Sequence, residues 1–197
     1  MTSEAVSSLL DIVKDTYQKI GDLINISEDE KGTIKRIGEM GEGKLDEVTS
    51  SIVGNMLKNE RLVSRLKDLG IESGELHSVV KDTLDLVLTF SEGDEGSLRV
   101  AQISSFVLTK ELPLGDYLTI LGYIYDELIS SLDIQVGNEI RALSKAFVWF
   151  SSVAAESYHQ AVLTSIKRSS GLSDQLIDRA IKISSGKVHE ELEEEAD

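Results

Sequence analysis

Three histidines, His77, His159 and His189, are the side chains in this sequence best suited to ligate a metal ion or to transfer a proton near neutral pH. They lie far apart in the chain. No His/Glu spacing recurs in the way that two facing helices would need to hold a di-iron site. His77 lies near the start of a predicted helix, where a lone histidine is usually solvated or caps the helix, and the other two fall on polar stretches. The histidines therefore predict no metal site.

A glycine-rich segment, residues 38–44 (GEMGEGK), has the glycine and lysine spacing of a phosphate-binding loop. Such a loop holds phosphate on its backbone N–H groups, and the residue after its lysine is a Ser or Thr that holds magnesium. Here that residue is Leu45. Two glutamates lie inside the segment and no apolar strand leads into it, so we interpret it as a flexible turn between two helices.

Acid–base and nucleophilic catalysis have no better support. Two carboxylate pairs, Asp82 with Asp85 and Asp126 with Glu127, fall on predicted helices whose polar faces should be solvated. The serines lack the glycine elbow that marks a hydrolase nucleophile. The chain has no cysteine, which excludes a thiol nucleophile. The sequence therefore predicts no enzymatic activity.

The charge balance narrows the class of partner. The chain of 197 residues has 35 acidic and 20 basic side chains, a net charge of −15 and a pI of about 4.6. Nucleic acids and anionic membranes are themselves negative, so neither is an expected partner. No long apolar run or basic signal region precedes the first predicted helix, and cysteine is absent. We expect a cytoplasmic protein without membrane insertion.

Hydrophobic periodicity predicts an all-α fold. The chain has a single proline, Pro113, and few continuous Val/Ile/Thr runs. Ser27 and Glu30 have the spacing of a capping box, and Pro113 suits the first turn of a helix. Helices are predicted over residues 3–25, 27–39, 45–69, 74–91, 97–111, 113–133 and 134–169, with a short amphipathic helix after Gly171. The expected organisation is an amphipathic N-terminal helix (1–26), one domain (27–170), and a short helix with an acidic tail (171–197).

The longest predicted helix, residues 134–169, has an apolar arc of roughly 180° when its residues are placed about 100° apart. One packing surface needs less than that. A monomer with such a patch exposed would be unusual, and a second copy of the same helix is the simplest partner. We therefore predict a homodimer whose interface includes Ala142, Ala146, Trp149 and Val153.

Two segments resemble a known family. Residues 99–103 (RVAQI), followed by Leu112-Pro113 and then Tyr117, are similar to the F-to-G region of sensor globins and protoglobins. Residues 142–145 (ALSK), with Tyr158 after them, resemble the last globin helix of globin-coupled sensors. The resemblance implies a globin-like fold with an extra N-terminal helix and a short C-terminal helix. It also implies a dimer in which the last two globin helices of each subunit form a four-helix bundle.

The position that holds the proximal haem histidine in that family is Val107 here, flanked by Phe106 and Leu108. None of these side chains ligates iron. The resemblance therefore implies a haemless sensor globin without a cofactor, with either a pocket for an apolar ligand such as a fatty acid or no ligand at all. Tyr125 or Tyr158 would orient the carboxylate of such a ligand. The expected pocket residues are Val87, Ile103, Phe106, Val107, Ile124, Tyr125, Phe147 and Phe150.

Three functions remain open at this stage. The first is a dimeric sensor module that acts in trans on a downstream signalling protein, with or without an apolar small molecule in its core. The second is a haem-binding gas sensor that uses an unusual ligand such as His77. The third is a scaffold or interaction protein, because large side chains can fill the volume that haem would occupy.

Overall fold

The computed structural model describes residues 4–41, 44–90, 94–132, 134, 137–173, 175–177 and 179–185. The fold is all-α, as predicted, and none of these residues lies in a β-strand. The chain forms two compact units, residues 1–161 and 162–197. The helices are α1 (Glu4–Ile24), α2 (Glu28–Gly41), α3 (Leu45–Met56), α4 (Glu60–Asp68), α5 (Ser73–Thr89), α6 (Asp94–Thr109), α7 (Leu114–Ser131) and α8 (Gly137–Ser170). Residues 175–177 and 179–185 are also helical, and the predicted acidic tail lies outside the described residues.

Local capping explains why two of these helices begin where they do. Glu30 N–H donates to Ser27 Oγ, and the Glu30 carboxylate accepts from Ser27 N–H at 2.9 Å. This confirms the capping box predicted for α2. A second capping box at the start of α5 joins Glu72 and Glu75, in which a glutamate takes the place of the usual Ser or Thr.

The single helix predicted for residues 45–69 is wrong, because the structure has two helices there, α3 and α4. Asn59 separates them. Its side-chain oxygen accepts from the N–H groups of Arg61 and Leu62 and so caps the first turn of α4. Asparagine is among the best residues for this role, and its local hydrogen bonds compete with a continuous helix.

The first glycine of the segment 38–44 has a packing role. The sequence predicts a turn here, but the first part of the segment is helical because α2 continues to Gly41. Glu42 and Gly43 lie outside the described residues. A Cβ atom on Gly38 would lie 2.9 Å from the backbone oxygen of Leu88 in α5. Glycine therefore lets the backbones of α2 and α5 approach closely.

The end of α6 has the hydrogen bonds of a Schellman motif. Leu112 N–H donates to Val107 O at 3.1 Å, and Glu111 N–H donates to Leu108 O at 2.9 Å. Glu111 takes the left-handed conformation that this motif requires, with φ of 54°. The motif turns the chain directly into Pro113, which precedes the first residue of α7.

The core of residues 1–161 is one apolar cluster to which every helix from α1 to α8 contributes. The N-terminal helix is part of this core. α1 packs against α6, and the Tyr17 ring meets the Trp149 ring of α8 edge-on at 4.5 Å. α5 contacts α2, α3 and α6 and lies among the other helices of the cluster.

Candidate functional site

The eight residues predicted to line a ligand pocket come from α5, α6, α7 and α8 and meet in the same apolar cluster. Val87, Val107, Ile124 and Phe150 are at most 1% exposed. Ile103 and Phe106 also line a groove between α5 and α6. Tyr125 and Phe147 line another groove between α7 and α8, with their rings 5.1 Å apart. All eight residues thus contribute to the core, two pairs of them line separate grooves, and the shared ligand pocket stays a prediction.

Val107 lies in the last turn of α6 and is buried in the core. It is 1% exposed, and its carbonyl oxygen accepts the Leu112 N–H that closes the Schellman motif. Leu112 is buried as well, in the apolar contact that usually accompanies this motif. An apolar side chain thus lies where the globin resemblance would require an iron ligand.

Two hydroxyl groups in this core lack a hydrogen-bond partner. Among the described residues, Thr83 Oγ1 of α5 and Tyr117 Oη of α7 are buried side-chain oxygens with no protein partner. Burial also raises the pKa of Tyr117 well above its ordinary value of 10.0, so the hydroxyl stays protonated. An unsatisfied buried hydroxyl costs about 1–3 kcal/mol of stability. These groups have unused hydrogen-bonding capacity for a polar ligand atom.

The tyrosines expected to orient a carboxylate are in a different situation. The Tyr125 hydroxyl lies 2.6 Å from Ser144 Oγ, which also donates to Ile140 O. Tyr125 and Tyr158 are both partly exposed. Tyr125 therefore already has a protein partner. No pattern in the sequence singles out the hydroxyl of Tyr117 as unpaired.

The two histidines within the described residues, His77 and His159, belong to no candidate metal-binding group. His77 Nε2 lies 3.4 Å from the hydroxyl of Ser50, an exposed residue of α3, and His159 is exposed. His189 lies outside the described residues. No group of three or more His, Cys, Asp or Glu side chains that would hold a metal ion occurs within the part of the chain that the structure describes.

The carboxylate pair on α5 binds an arginine of α6. Arg99 donates to Asp85 at 2.6 Å and lies 3.7 Å from Asp82, and all three side chains are at least partly solvated. Of the other pair, Glu127 accepts from the side-chain amide of Asn55 at 2.7 Å. Asp82, Asp85 and Glu127 thus link neighbouring helices.

The four residues predicted to form a dimer interface are buried inside the chain itself. Ala142, Ala146, Trp149 and Val153 are at most 1% exposed. Tyr17 of α1 and Phe90 at the end of α5 cover Trp149, with ring centroids at 4.5 and 4.7 Å. The surplus apolar arc of α8 therefore packs in part against the protein's own N-terminal helix. A second copy would reach these four side chains only after displacing neighbouring elements.

A different face of α8 remains exposed next to α7. Val148 is 55% exposed and Leu118 of α7 is 38% exposed. Between them is a shallow groove of about 430 Å³ whose other lining residues include Gly122, Ser151 and Ser152. We call this surface the α7/α8 face. Its small side chains would allow another helix to approach closely.

A cavity of about 490 Å³ lies beside α1, bordered also by the start of α2, the end of α5, the first turn of α6 and Trp149 of α8. We call it the α1 cavity. It shares none of the eight predicted pocket residues, and nothing in the sequence pattern pointed to it. Its lining residues are Lys14, Tyr17, Gln18, Gly21, Asp22, Asn25, Ile26, Lys31, Phe90, Ser97 and Trp149.

Comparisons of this chain with protein-family models, with curated proteins and with solved structures find no match. No helix in the described ranges combines the length and apolar character needed to cross a membrane.

Proposed function

We propose that the protein is a haemless regulatory module of the sensor-globin type, which acts as a homodimer on a downstream signalling protein in trans. The observation that carries this proposal is Val107, an apolar residue buried in the core at the position where the resemblance places the iron ligand. The order and lengths of the helices are consistent with a globin-like domain of seven helices, α2 to α8, preceded by α1.

The ligand proposed for the core has an apolar body and one polar head group, as a fatty acid does. The resemblance to globins would place this ligand among the large apolar side chains of α5 to α8, which are part of the apolar cluster. The Tyr117 hydroxyl would bind the head group, because it is buried and lacks a protein partner. Because the pKa of Tyr117 is raised, its hydroxyl remains a hydrogen-bond donor to a carboxylate.

Mass spectrometry of organic extracts from the natively purified protein tests this ligand. We expect a fatty acid in near-stoichiometric amount. The fatty acid should be depleted in Tyr117→Phe and retained in Tyr123→Phe. Tyr123 lies on the same helix, but its hydroxyl already accepts a hydrogen bond from Asn59 at 2.6 Å. Extracts without any apolar ligand, or equal amounts in the two variants, would contradict the proposed ligand.

The leading alternative is a scaffold or interaction protein with a fully packed core. The near-complete burial of Val87, Val107, Ile124 and Phe150 favours it, because interiors close-pack wherever side chains can fill the space. Absence of ligand from the extracts would support this alternative.

A haem-binding gas sensor is the weaker alternative. It would need an axial ligand, and His77 lies beside Ser50, an exposed residue of α3. A visible absorption spectrum after haem reconstitution decides the matter, since a Soret band that is lost in His77→Ala would overturn the haemless assignment.

The proposal includes a cytoplasmic location and a dimer built on the α7/α8 face. The net charge of −15 supports partners other than nucleic acid or an anionic membrane surface. The absence of cysteine supports a reducing compartment. The exposed apolar residues Leu118 and Val148 support a dimer contact at that face.

A further inference from the structure

The α1 cavity has the size and mixed lining of a small-molecule site. Its volume of about 490 Å³ lies within the range of ligand pockets, roughly 300–1,000 Å³. It lies entirely within residues 1–161 and shares none of the eight residues predicted to line the core pocket. A ligand here would contact α1 on one side and the helices beneath it on the other.

Three aromatic rings form one wall of the α1 cavity. The Trp149 ring is central, with Tyr17 edge-on at 4.5 Å and Phe90 tilted at 4.7 Å. All three residues line the cavity. Such a wall suits a flat apolar or aromatic group, because aromatic rings pair favourably in tilted and edge-on arrangements.

The charged side chains around the cavity favour an anion. Lys14 and Lys31 line it and are half-buried, whereas Asp22, the acidic lining residue, is exposed. Lys31 Nζ lies 5.7 Å from the Phe90 ring centroid, and it pairs at 3.0 Å with Glu28, which is 88% exposed. A ligand carboxylate held in the cavity would be less solvated than the Glu28 carboxylate. It would therefore attract Lys31 more strongly than Glu28 does.

Two residues that line the α1 cavity have a left-handed backbone, which is strained at Phe90. Asn25 and Phe90 have φ of 50° and 44°, the left-handed region that a bulky residue such as phenylalanine rarely adopts. Strain of this kind is concentrated at functional sites, where the surrounding structure maintains it. At Phe90 the unusual backbone accompanies a ring held against Trp149.

We propose that the α1 cavity binds a small aromatic carboxylate. The ring would pack chiefly on the half-buried Phe90, beside the buried rings of Tyr17 and Trp149, and the carboxylate would interact with Lys14 and Lys31. A bound ligand would bridge α1 and the helices beneath it, so its occupancy would stabilise the docked position of α1.

Trp149 is the single tryptophan in the chain, so its fluorescence reports binding directly. We would titrate the purified protein with phenylacetate, with the cation phenethylamine and with the neutral 2-phenylethanol. Saturable quenching or a spectral shift is expected with phenylacetate, and little or none with the other two. Lys31→Met should weaken phenylacetate binding about tenfold through loss of a charged partner. Stronger binding of phenethylamine, or no binding of phenylacetate, would overturn the proposal.

A matched pair of glycine variants tests the location. A Cβ on Gly21 would lie 3.7 Å from Trp149 Nε1, an ordinary contact, so Gly21→Leu would project a side chain into the cavity. Gly32→Leu adds the same side chain where no atom lies within 4 Å. By calorimetry, Gly21→Leu should lose phenylacetate binding and Gly32→Leu should retain it. Equal binding by two folded variants would place the site elsewhere and refute the assignment.

Discussion

The ammonium group of Lys145 donates to the carboxylate of Glu30 at 2.7 Å and thereby joins α8 to the first turn of α2. Lys145 also donates to the backbone oxygen of Asn25, just beyond the end of α1, at 3.1 Å. One side chain thus connects three helices. Glu30 and Lys145 are only 16% and 25% exposed, so solvent screens their interaction less than that of a typical surface pair.

The interaction predicts a specific loss of stability in acid. The hydrogen bond from Lys145, with that from Ser27 N–H, lowers the pKa of Glu30 from 4.5 to about 2. A carboxylate whose pKa is lower in the folded state stabilises the protein above its unfolded pKa, and this contribution disappears as the pH falls through the folded value. Urea denaturation should show Lys145→Met destabilised by about 2 kcal/mol at neutral pH.

The difference between the wild type and Lys145→Met should shrink between about pH 4.5 and pH 2. Lys19→Met is the control, because Lys19 and Asp15 form a pair that is 70% and 61% exposed. It should change stability little at any pH. A Lys145→Met deficit that persists at pH 2 would show that the lost stability comes from packing of the side chain.

Gly38 and Gly32, both in α2, should respond oppositely to alanine. At Gly38 the new Cβ would lie 2.9 Å from Leu88 O, and such overpacking costs about 1–3 kcal/mol. At Gly32 nothing lies within 4 Å, and alanine should stabilise the helix by about 1 kcal/mol. Thermal denaturation should therefore rank Gly32→Ala above the wild type and Gly38→Ala below it. The reverse order would mean that α2 and α5 do not approach at Gly38.

The all-α class, most helix positions and the apolar faces follow from the sequence because they depend on local periodicity and capping, but the number of helices does not. The capping box at Ser27 is an example, and the break at Asn59 would have been found by giving weight to asparagine as a helix cap. The neighbour that covers an apolar face depends on contacts between residues that are distant in the sequence, so local periodicity does not predict it. The pattern of α8 identified Trp149 as apolar but not the contact with Tyr17, 132 residues earlier.

The same limit explains the site residues that the sequence did not reveal. Lys145 falls on the polar arc of α8 and looks like a solvated side chain until α2 is placed beside it. The α1 cavity depends on five helices meeting, so no single stretch of sequence indicates it. The missing hydrogen bond of Tyr117 likewise depends on what surrounds it in the folded core.

Glu111 offers a stabilising substitution. It has φ of 54° in the Schellman motif after α6, a conformation that glycine adopts without steric cost. Glu111→Gly should therefore stabilise the protein by about 0.5–1 kcal/mol, measured by urea denaturation. Glu111→Ala is the control, since alanine keeps the steric cost while removing the charge. Equal stability of the two variants would argue against the left-handed conformation at this position.

Tyr117→Phe should stabilise the ligand-free protein. The substitution removes a buried hydroxyl without a protein partner, and relief of that desolvation should contribute about 1 kcal/mol. Tyr123→Phe, on the same helix, should instead destabilise by about 1 kcal/mol, because Tyr123 bonds to Asn59. Calorimetric unfolding of delipidated samples measures both. A destabilised Tyr117→Phe would show that the hydroxyl has a partner, such as a bound water, in the ligand-free protein.

A dimer at the α7/α8 face should be sensitive to charge at Val148 and insensitive to charge elsewhere. Val148 is 55% exposed in the single chain, so Val148→Glu should fold normally. Its carboxylate would be desolvated in a dimer, which disfavours association. Multi-angle light scattering should find a dimeric wild type and a monomeric Val148→Glu. Leu98→Glu, at a position 43% exposed on α6, should remain dimeric. A monomeric wild type would remove the dimer from the proposed function, and a dimeric Val148→Glu would move the contact to another surface.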